Sequence, residues 1–231
     1  MGGNHVILVV PTDKGNIWLE NTSQEIAFNH LSYSTTDRNA LVVKPTGIEV
    51  IETPSYSAEQ NKEKQILSLQ LHEDKTISGK GNFVFTGNQY DSNLGLMSLS
   101  AKEKADALKN QYGILQFENF EVLDMKNDRD RTALQYDINF KAGNFSKSVG
   151  SSFIFRAVPI YTNSFYHEDE TRALPFETRF AYEDEYEISY KVPAGYMIEE
   201  IPVNGTFSSD FGSYRLSFEK KDDQLIVKRF I

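Results

Sequence analysis

A two-residue hydrophobic period recurs through most of this chain and limits what it can fold into. Leu67, Leu69 and Leu71 alternate with polar residues. Leu134, Tyr136, Ile138 and Phe140 alternate with Gln135, Asp137, Asn139 and Lys141. Phe180, Tyr182, Tyr186, Ile188 and Tyr190 do the same against Arg179 and Glu183, Glu185 and Glu187, and Tyr214, Leu216 and Phe218 form a further stripe. Val149, Phe153 and Phe155 alternate with small polar residues. Successive side chains of a strand point to opposite faces, so this pattern specifies strands with one covered face. One-sided strands are the mark of antiparallel sheets. The segment Ile77 to Phe85 returns after the turn residues Glu73-Asp74-Lys75, with Gly79 and Gly81 at the apolar parity. Aromatic residues, which suit the pleated and half-buried surface of a sheet, make up 13% of the chain. The acidic run 183–187 reads as a solvated strand face.

One segment breaks the rhythm. Ser100 followed by Glu103 is a capping box. Ala101, Ala105, Leu108 and Tyr112 then recur at helical spacing, and Gly113 offers a stop. A weaker helical turn is expected around 90–99. The fold class predicted is therefore mostly β: an antiparallel β-sandwich with one helical excursion, preceded by β-hairpins.

Those hairpins occupy the first residues. Strand 5–11, the turn Thr12-Asp13-Lys14-Gly15 and strand 16–21 form the first. If those four residues make the loop, Leu8 faces Leu19 and Val10 faces Ile17. The other face then carries His5, Ile7, Val9, Trp18, Glu20 and Thr22, with His5 and Glu20 as diagonal neighbours about 7–8 Å apart at the backbone. Ala40–Val43, the turn Lys44-Pro45-Thr46-Gly47 and Ile48–Glu52 form a second hairpin, closed by Thr53-Pro54. The polar stretch 55–63 is the expected boundary between a unit at 1–54 and a β-sandwich at 55–231. Met1-Gly2-Gly3-Asn4 is no signal peptide, because it has neither a basic nor an apolar region. An apolar strand follows at once, and the last residues, Gln224 to Ile231, again read as a strand. The chain is thus expected to be a piece of a longer protein.

Composition removes several classes of chemistry. With no cysteine, these 231 residues hold no thiol nucleophile, disulfide or thiolate metal site. With 33 acidic against 24 basic side chains, the net charge of −9 repels phosphate backbones, which argues against nucleic acid as a partner. No apolar run approaches the ~20 residues of a membrane span. No G-x-S-x-G, G-x-G-x-x-G or phosphate loop is present. His167-Glu168-Asp169-Glu170 holds metal-type side chains, but consecutive residues of an extended strand alternate faces, and a solvated loop explains them better. Asp124, Asp128 and Asp130 lack the glycine and terminal glutamate of a calcium loop. No metal and no cofactor is predicted.

Two groups of residues could carry function. His5 with Glu20 supplies an imidazole and a carboxylate able to orient it, two of the three parts of a nucleophilic triad. Tyr161, Phe165 and Tyr166 could stack on a sugar ring as a ligand-binding site, although capping of the sandwich core is the better explanation.

The run Asn4-His5-Val6-Ile7-Leu8-Val9-Val10-Pro11, followed by Ile17-Trp18-Leu19-Glu20-Asn21-Thr22, resembles the last part of a bacterial transglutaminase-like core, the papain-related fold with a Cys-His-Asp triad. Asp37-Arg38-Asn39-Ala40-Leu41-Val42 and Thr53-Pro54 are similar to its closing stretch. The resemblance implies that His5 is the catalytic histidine and Glu20 the acid, a glutamate where the family has aspartate, with the cysteine upstream of this chain. Residues 55–231, through Arg172-Ala173-Leu174-Pro175-Phe176, Val192-Pro193-Ala194-Gly195-Tyr196 and Glu200-Ile201-Pro202, resemble the β-sandwich domain of unknown function that follows this core in secreted bacterial proteins. A fragment of a cysteine protease or amide hydrolase is then expected, inactive alone. Its partners would be upstream domains of the same polypeptide and a peptide substrate, and its location periplasmic or extracellular. The competing expectation is a glycan- or protein-binding sandwich with no catalytic role.

Overall fold

The computed structural model describes residues 5–112, 115–159 and 178–231. The chain is mostly β, as its alternation requires. The first hairpin pairs β1 (Leu8–Thr12) with β2 (Gly15–Leu19), in the expected register of Leu8 opposite Leu19 and Val10 opposite Ile17. Its loop is shorter than expected, because Thr12 and Gly15 already pair and only Asp13 and Lys14 turn the chain. Gly15 takes φ 115°, a conformation open to glycine. The second hairpin pairs β3 (Asn39–Lys44) with β4 (Gly47–Glu52) around Pro45-Thr46.

The remaining strands are β5 (Lys62–Leu71), β6 (Ile77–Thr86), β7 (Gln116–Asp128), β8 (Ala133–Gly143), β9 (Ser146–Val149), β10 (Ser152–Phe155), β11 (Glu183–Lys191), β12 (Gly205–Ser209), β13 (Gly212–Lys221) and β14 (Gln224–Phe230). Eight of them form one sheet in the order β12-β13-β14-β11-β5-β6-β8-β7. Six of its seven ladders are antiparallel, but β11 runs parallel to β5 along the central seam, so the sheet is mixed. A parallel pair needs a crossover rather than a hairpin, and the whole run from β6 to β10 intervenes between these two strands.

The apolar stripes all lie on one face. Leu67 and Leu69 of β5, Phe83 and Phe85 of β6, Tyr136, Ile138 and Phe140 of β8, and Ile188 and Tyr190 of β11 are buried together. Gly79 and Gly81 interrupt this stripe for a packing reason. A Cβ on Gly79 would lie 2.2 Å from the Ser68 carbonyl oxygen, and one on Gly81 would lie 2.6 Å from Leu67 Cδ2. The two glycines make the space into which the β5 leucines lean.

The layer over this face is smaller than a second full sheet. It consists of α2 (Ala101–Gln111), which contributes Leu108 and then Tyr112, together with Phe145 and Phe155 from around the short β9–β10 hairpin. The stripe Val149–Phe155 is therefore two strands, turned at Gly150-Ser151, which leaves Val149 exposed. The α2 capping box is present: Glu103 N–H donates to Ser100 Oγ, and Ser100 N–H donates to Glu103 Oε2 at 2.9 Å. Gly113 lies outside the described residues. The weaker helical turn resolves into α1 (Asn88–Leu94) and a 3-10 turn (Gly95–Ser98), so the helical excursion has two helices.

Between the hairpins and the sheet, residues 25–31 form no regular element and pack on α1. Ile26 and Ala27 share a buried cluster with Tyr90, Leu94 and Leu134. The Tyr90 hydroxyl donates to the Glu25 carbonyl at 2.9 Å.

Candidate functional site

The open end of the β1–β2 hairpin brings together the two residues singled out first, on the face that carries buried Trp18. His5 precedes β1, and Glu20 follows β2 directly. Their spacing along the hairpin sets His5 Nε2 2.8 Å from Glu20 Oε2. The pair sits at the surface but not evenly: the imidazole is 35% exposed and the carboxylate 5%. Thr22 fixes the other carboxylate oxygen, since its amide donates to Glu20 Oε1 at 3.0 Å and its hydroxyl at 2.7 Å. Burial pushes the Glu20 carboxyl up, but the hydrogen bonds from His5 and from the hydroxyl and amide of Thr22 outweigh it and hold the group below its ordinary range. Glu20 is therefore an anion with both oxygens engaged. His5 has one nitrogen oriented, and Nδ1 is left as the second ring position. Trp18, one face-mate away, is buried, and its amide donates to Asn29 Oδ1 at 2.8 Å, which ties the hairpin to the following loop.

A second histidine–carboxylate pair went unforeseen. His30 Nε2 lies 2.9 Å from Asp91 Oδ1, and both side chains are buried. The ring stacks on Tyr56 at 5.1 Å and meets Tyr90 edge-on at 5.7 Å. Burial, the leading influence, holds the Asp91 carboxyl above its ordinary range despite the bond from His30. Sixty-one residues separate the two, so no local spacing announced them. This imidazole is closed off and works as a dock for residues 25–36.

The acidic run 183–187 is a solvated face only in part. Glu183, Glu185 and Glu187 point outward and meet Lys62, Lys64 and Lys228. Asp184 points inward and is buried, a correction that follows from its parity with Tyr186 and Ile188. Asp128 ends β7, where its Oδ1 accepts from the Arg131 amide at 3.3 Å, and Asp124 sits in a bulge of β7 at φ 45°. His72 reaches Ser78 Oγ across the β5–β6 turn at 2.7 Å. Among the described residues no three His, Asp or Glu side chains gather as a metal site. Among the described residues no helix is long and apolar enough to cross a membrane. Tyr161, Phe165, Tyr166 and the run His167–Glu170 lie outside the described residues.

The comparison with known families bears on the other end of the chain. Residues 151–231 match the family model of DUF3858, a domain of unknown function with a solved structure. No curated protein and no solved structure matches the chain. The DUF3858 match takes in β10 to β14. Its strand β11 runs beside β5 over nine register pairs, so matched and unmatched strands complete a single sheet. The match supports a domain of unknown function at residues 151–231 and leaves His5 and Glu20 outside it.

Proposed function

We propose that this chain is the C-terminal part of a bacterial transglutaminase-like cysteine protease or amide hydrolase. In this reading residues 1–54 are the end of the catalytic core and 55–231 an accessory domain. The observation that carries it is the His5–Glu20 contact, with Glu20 anchored by Thr22 and His5 Nδ1 left over. A cysteine upstream of His5 would supply the nucleophile. His5 takes the thiol proton, the thiolate attacks an amide carbonyl, and His5 returns the proton to the leaving nitrogen as the C–N bond breaks and a thioester forms. Water then hydrolyses the thioester. Glu20 keeps the ring in one tautomer and stabilises the imidazolium. The substrate is a peptide or a glutamine side chain, and an extracytoplasmic location, periplasmic or extracellular, belongs to the same reading.

A further feature supports more protein packed on this end. Leu41 faces Val50 and Val43 faces Ile48 across β3–β4, and all four are exposed, three of them by more than 70%. Such a row on a two-stranded hairpin is a face made for burial.

The test is the full-length protein. Changing the upstream cysteine to alanine should abolish amide hydrolysis and thiol labelling by iodoacetamide. His5→Ala should lower turnover by ~10³ or more while leaving the fold intact. A full-length protein with no cysteine before His5, or a His5→Ala variant of unchanged activity, overturns the reading.

A further inference from the structure

On the covered face of the sheet, at the end beneath α1, the apolar stripe gives way to acid. Glu63 of β5 and Asp184 of β11 are register partners on the parallel seam, so their side chains leave the same face about 5 Å apart at the backbone. Neither strand can withdraw, because β6 holds β5 and β14 holds β11. Asp184 is supplied with donors: Gln89 Nε2 of α1 at 2.6 Å and the Tyr186 hydroxyl at 3.4 Å. Glu63 accepts from the side-chain amide of Gln65. Gln65 is itself only 2% exposed, and its Oε1 finds no hydrogen-bond partner among the described residues. A buried carbonyl without a donor is costly. This one belongs to the amide that already touches Glu63. A proton on Glu63 would satisfy it once the amide turns over.

The surrounding groups leave the pair short of positive charge. Among the described residues Arg229 of β14 is the cation that acts on both acids, its guanidinium over the rings of Tyr186 at 5.0 Å and Tyr214 of β13 at 5.6 Å. Tyr112, after α2, and Tyr136 of β8 bring hydroxyls 3.1 Å apart. α1 adds Asp91, with His30 opposite it. A buried carboxylate, Asp184, and a partly buried one, Glu63, thus face one guanidinium. Burial first, and then the neighbouring Asp184, push the Glu63 carboxyl up to about 7, and burial raises Asp184.

The geometry points to Glu63 holding a proton beside Asp184 as a pH-sensitive latch beneath α1, whose loss loosens α1 and the segment 25–36 docked on it. The strands are fixed by their ladders, so α1 is the element free to yield. Its Gln89 grips Asp184, while its Tyr90 and Asp91 grip Glu25 and His30. Three consecutive residues of one seven-residue helix therefore join the acid pair to the loop that follows the His5–Glu20 hairpin. The docked form binds the proton more tightly than the opened form. Docking is thus complete below the ordinary glutamate value of 4.5 and is lost as pH rises through about 7. This inference does not depend on the catalytic reading of His5.

Amide hydrogen exchange on the whole chain, at pH 5 to 8 and corrected for intrinsic rates, tests it. The opening of residues 25–36 and 88–94 should increase about tenfold or more from pH 5 to 8, with the β6–β8 ladder unchanged. Glu63→Gln should remove that pH dependence while leaving His30 and Asp91 in place. Asp184→Asn should move its midpoint to lower pH. A wild type with no segment-specific pH dependence overturns the latch, as does a Glu63→Gln variant that keeps it, which would assign the effect to His30–Asp91. If Glu63→Gln does not fold, the ¹³C titration of Glu63 in the wild type decides: a midpoint below 5 overturns the latch.

Discussion

His5–Glu20 and His30–Asp91 are the same contact in opposite settings. Both join an imidazole Nε2 to one carboxylate oxygen, at 2.8 and 2.9 Å. The ring of the first is 35% exposed, and its carboxyl, although itself covered, is held below its ordinary range by three hydrogen bonds. The second is buried, and its carboxyl stands above that range because desolvation outweighs the bonds from His30 and the Tyr33 backbone. Distance therefore does not tell what such a pair is for. What differs is the supply of donors to the acid and the access left to the ring. An anchored acid and a reachable ring can serve chemistry, whereas an enclosed pair holds a loop on a helix.

Removing each ring is the sharpest way to break this comparison. His30→Leu leaves Asp91 buried without its partner, and breaking a buried pair costs roughly 3 kcal/mol. His5→Leu removes a partly exposed ring from a carboxylate that keeps both Thr22 bonds, and should cost about 1 kcal/mol or less. Urea unfolding of the two variants measures both. Similar losses would mean that burial is not what separates the pairs.

Glu63 extends the comparison to an acid with no histidine at all. Its raised carboxyl favours the protonated fold, so wild-type stability should fall from pH 4.5 to about 7, by ~2 kcal/mol, and then level off. Glu20 has the opposite sign: its lowered carboxyl contributes above pH 4.5, and that contribution is lost as pH falls. Unfolding curves of Glu63→Gln and Glu20→Gln against pH should flatten the neutral limb in the first and only the acid limb in the second.

These contrasts follow the line between what the residues announce and what only the fold reveals. The register of β1–β2, the β3–β4 hairpin, the covered leucines of β5 and the capping box of α2 all depend on neighbours within a few residues, and each was legible. The period of two also assigned faces correctly along β5 and β8. It misread Asp184, because three outward acids in a run hid one inward acid whose partner Glu63 lies 121 residues away in the chain. The parallel seam, the docking of His30 on Asp91 and the reduced second layer are long-range choices among strands of similar pattern. Alternation fixes which face is covered but not which strand lies beside which. Gly79 and Gly81 were visible as oddities in a strand; only the leucines leaning over them explain why nothing larger fits.

The smallest expected effect tests how Glu20 became the anchored member. Thr22 contacts Glu20 Oε1 twice, through its amide and its hydroxyl, and leaves Oε2 to His5. Thr22→Val keeps the β-branched shape and the amide bond but removes the hydroxyl. Stability should change by less than about 0.5 kcal/mol, since the site is at the surface. The Glu20 carboxyl should nevertheless titrate higher than in the wild type, because one of the bonds that favours the anion is gone. Its second oxygen is then held by the amide alone, so the His5 ring should lose its single tautomer, visible in the ¹⁵N shifts of Nδ1 and Nε2. Thr22→Ser, which restores a hydroxyl without the methyl, should return both signals. An unchanged Glu20 titration and an unchanged His5 tautomer in Thr22→Val would mean that the backbone amide alone positions the acid, and that the difference between the two pairs lies in burial only.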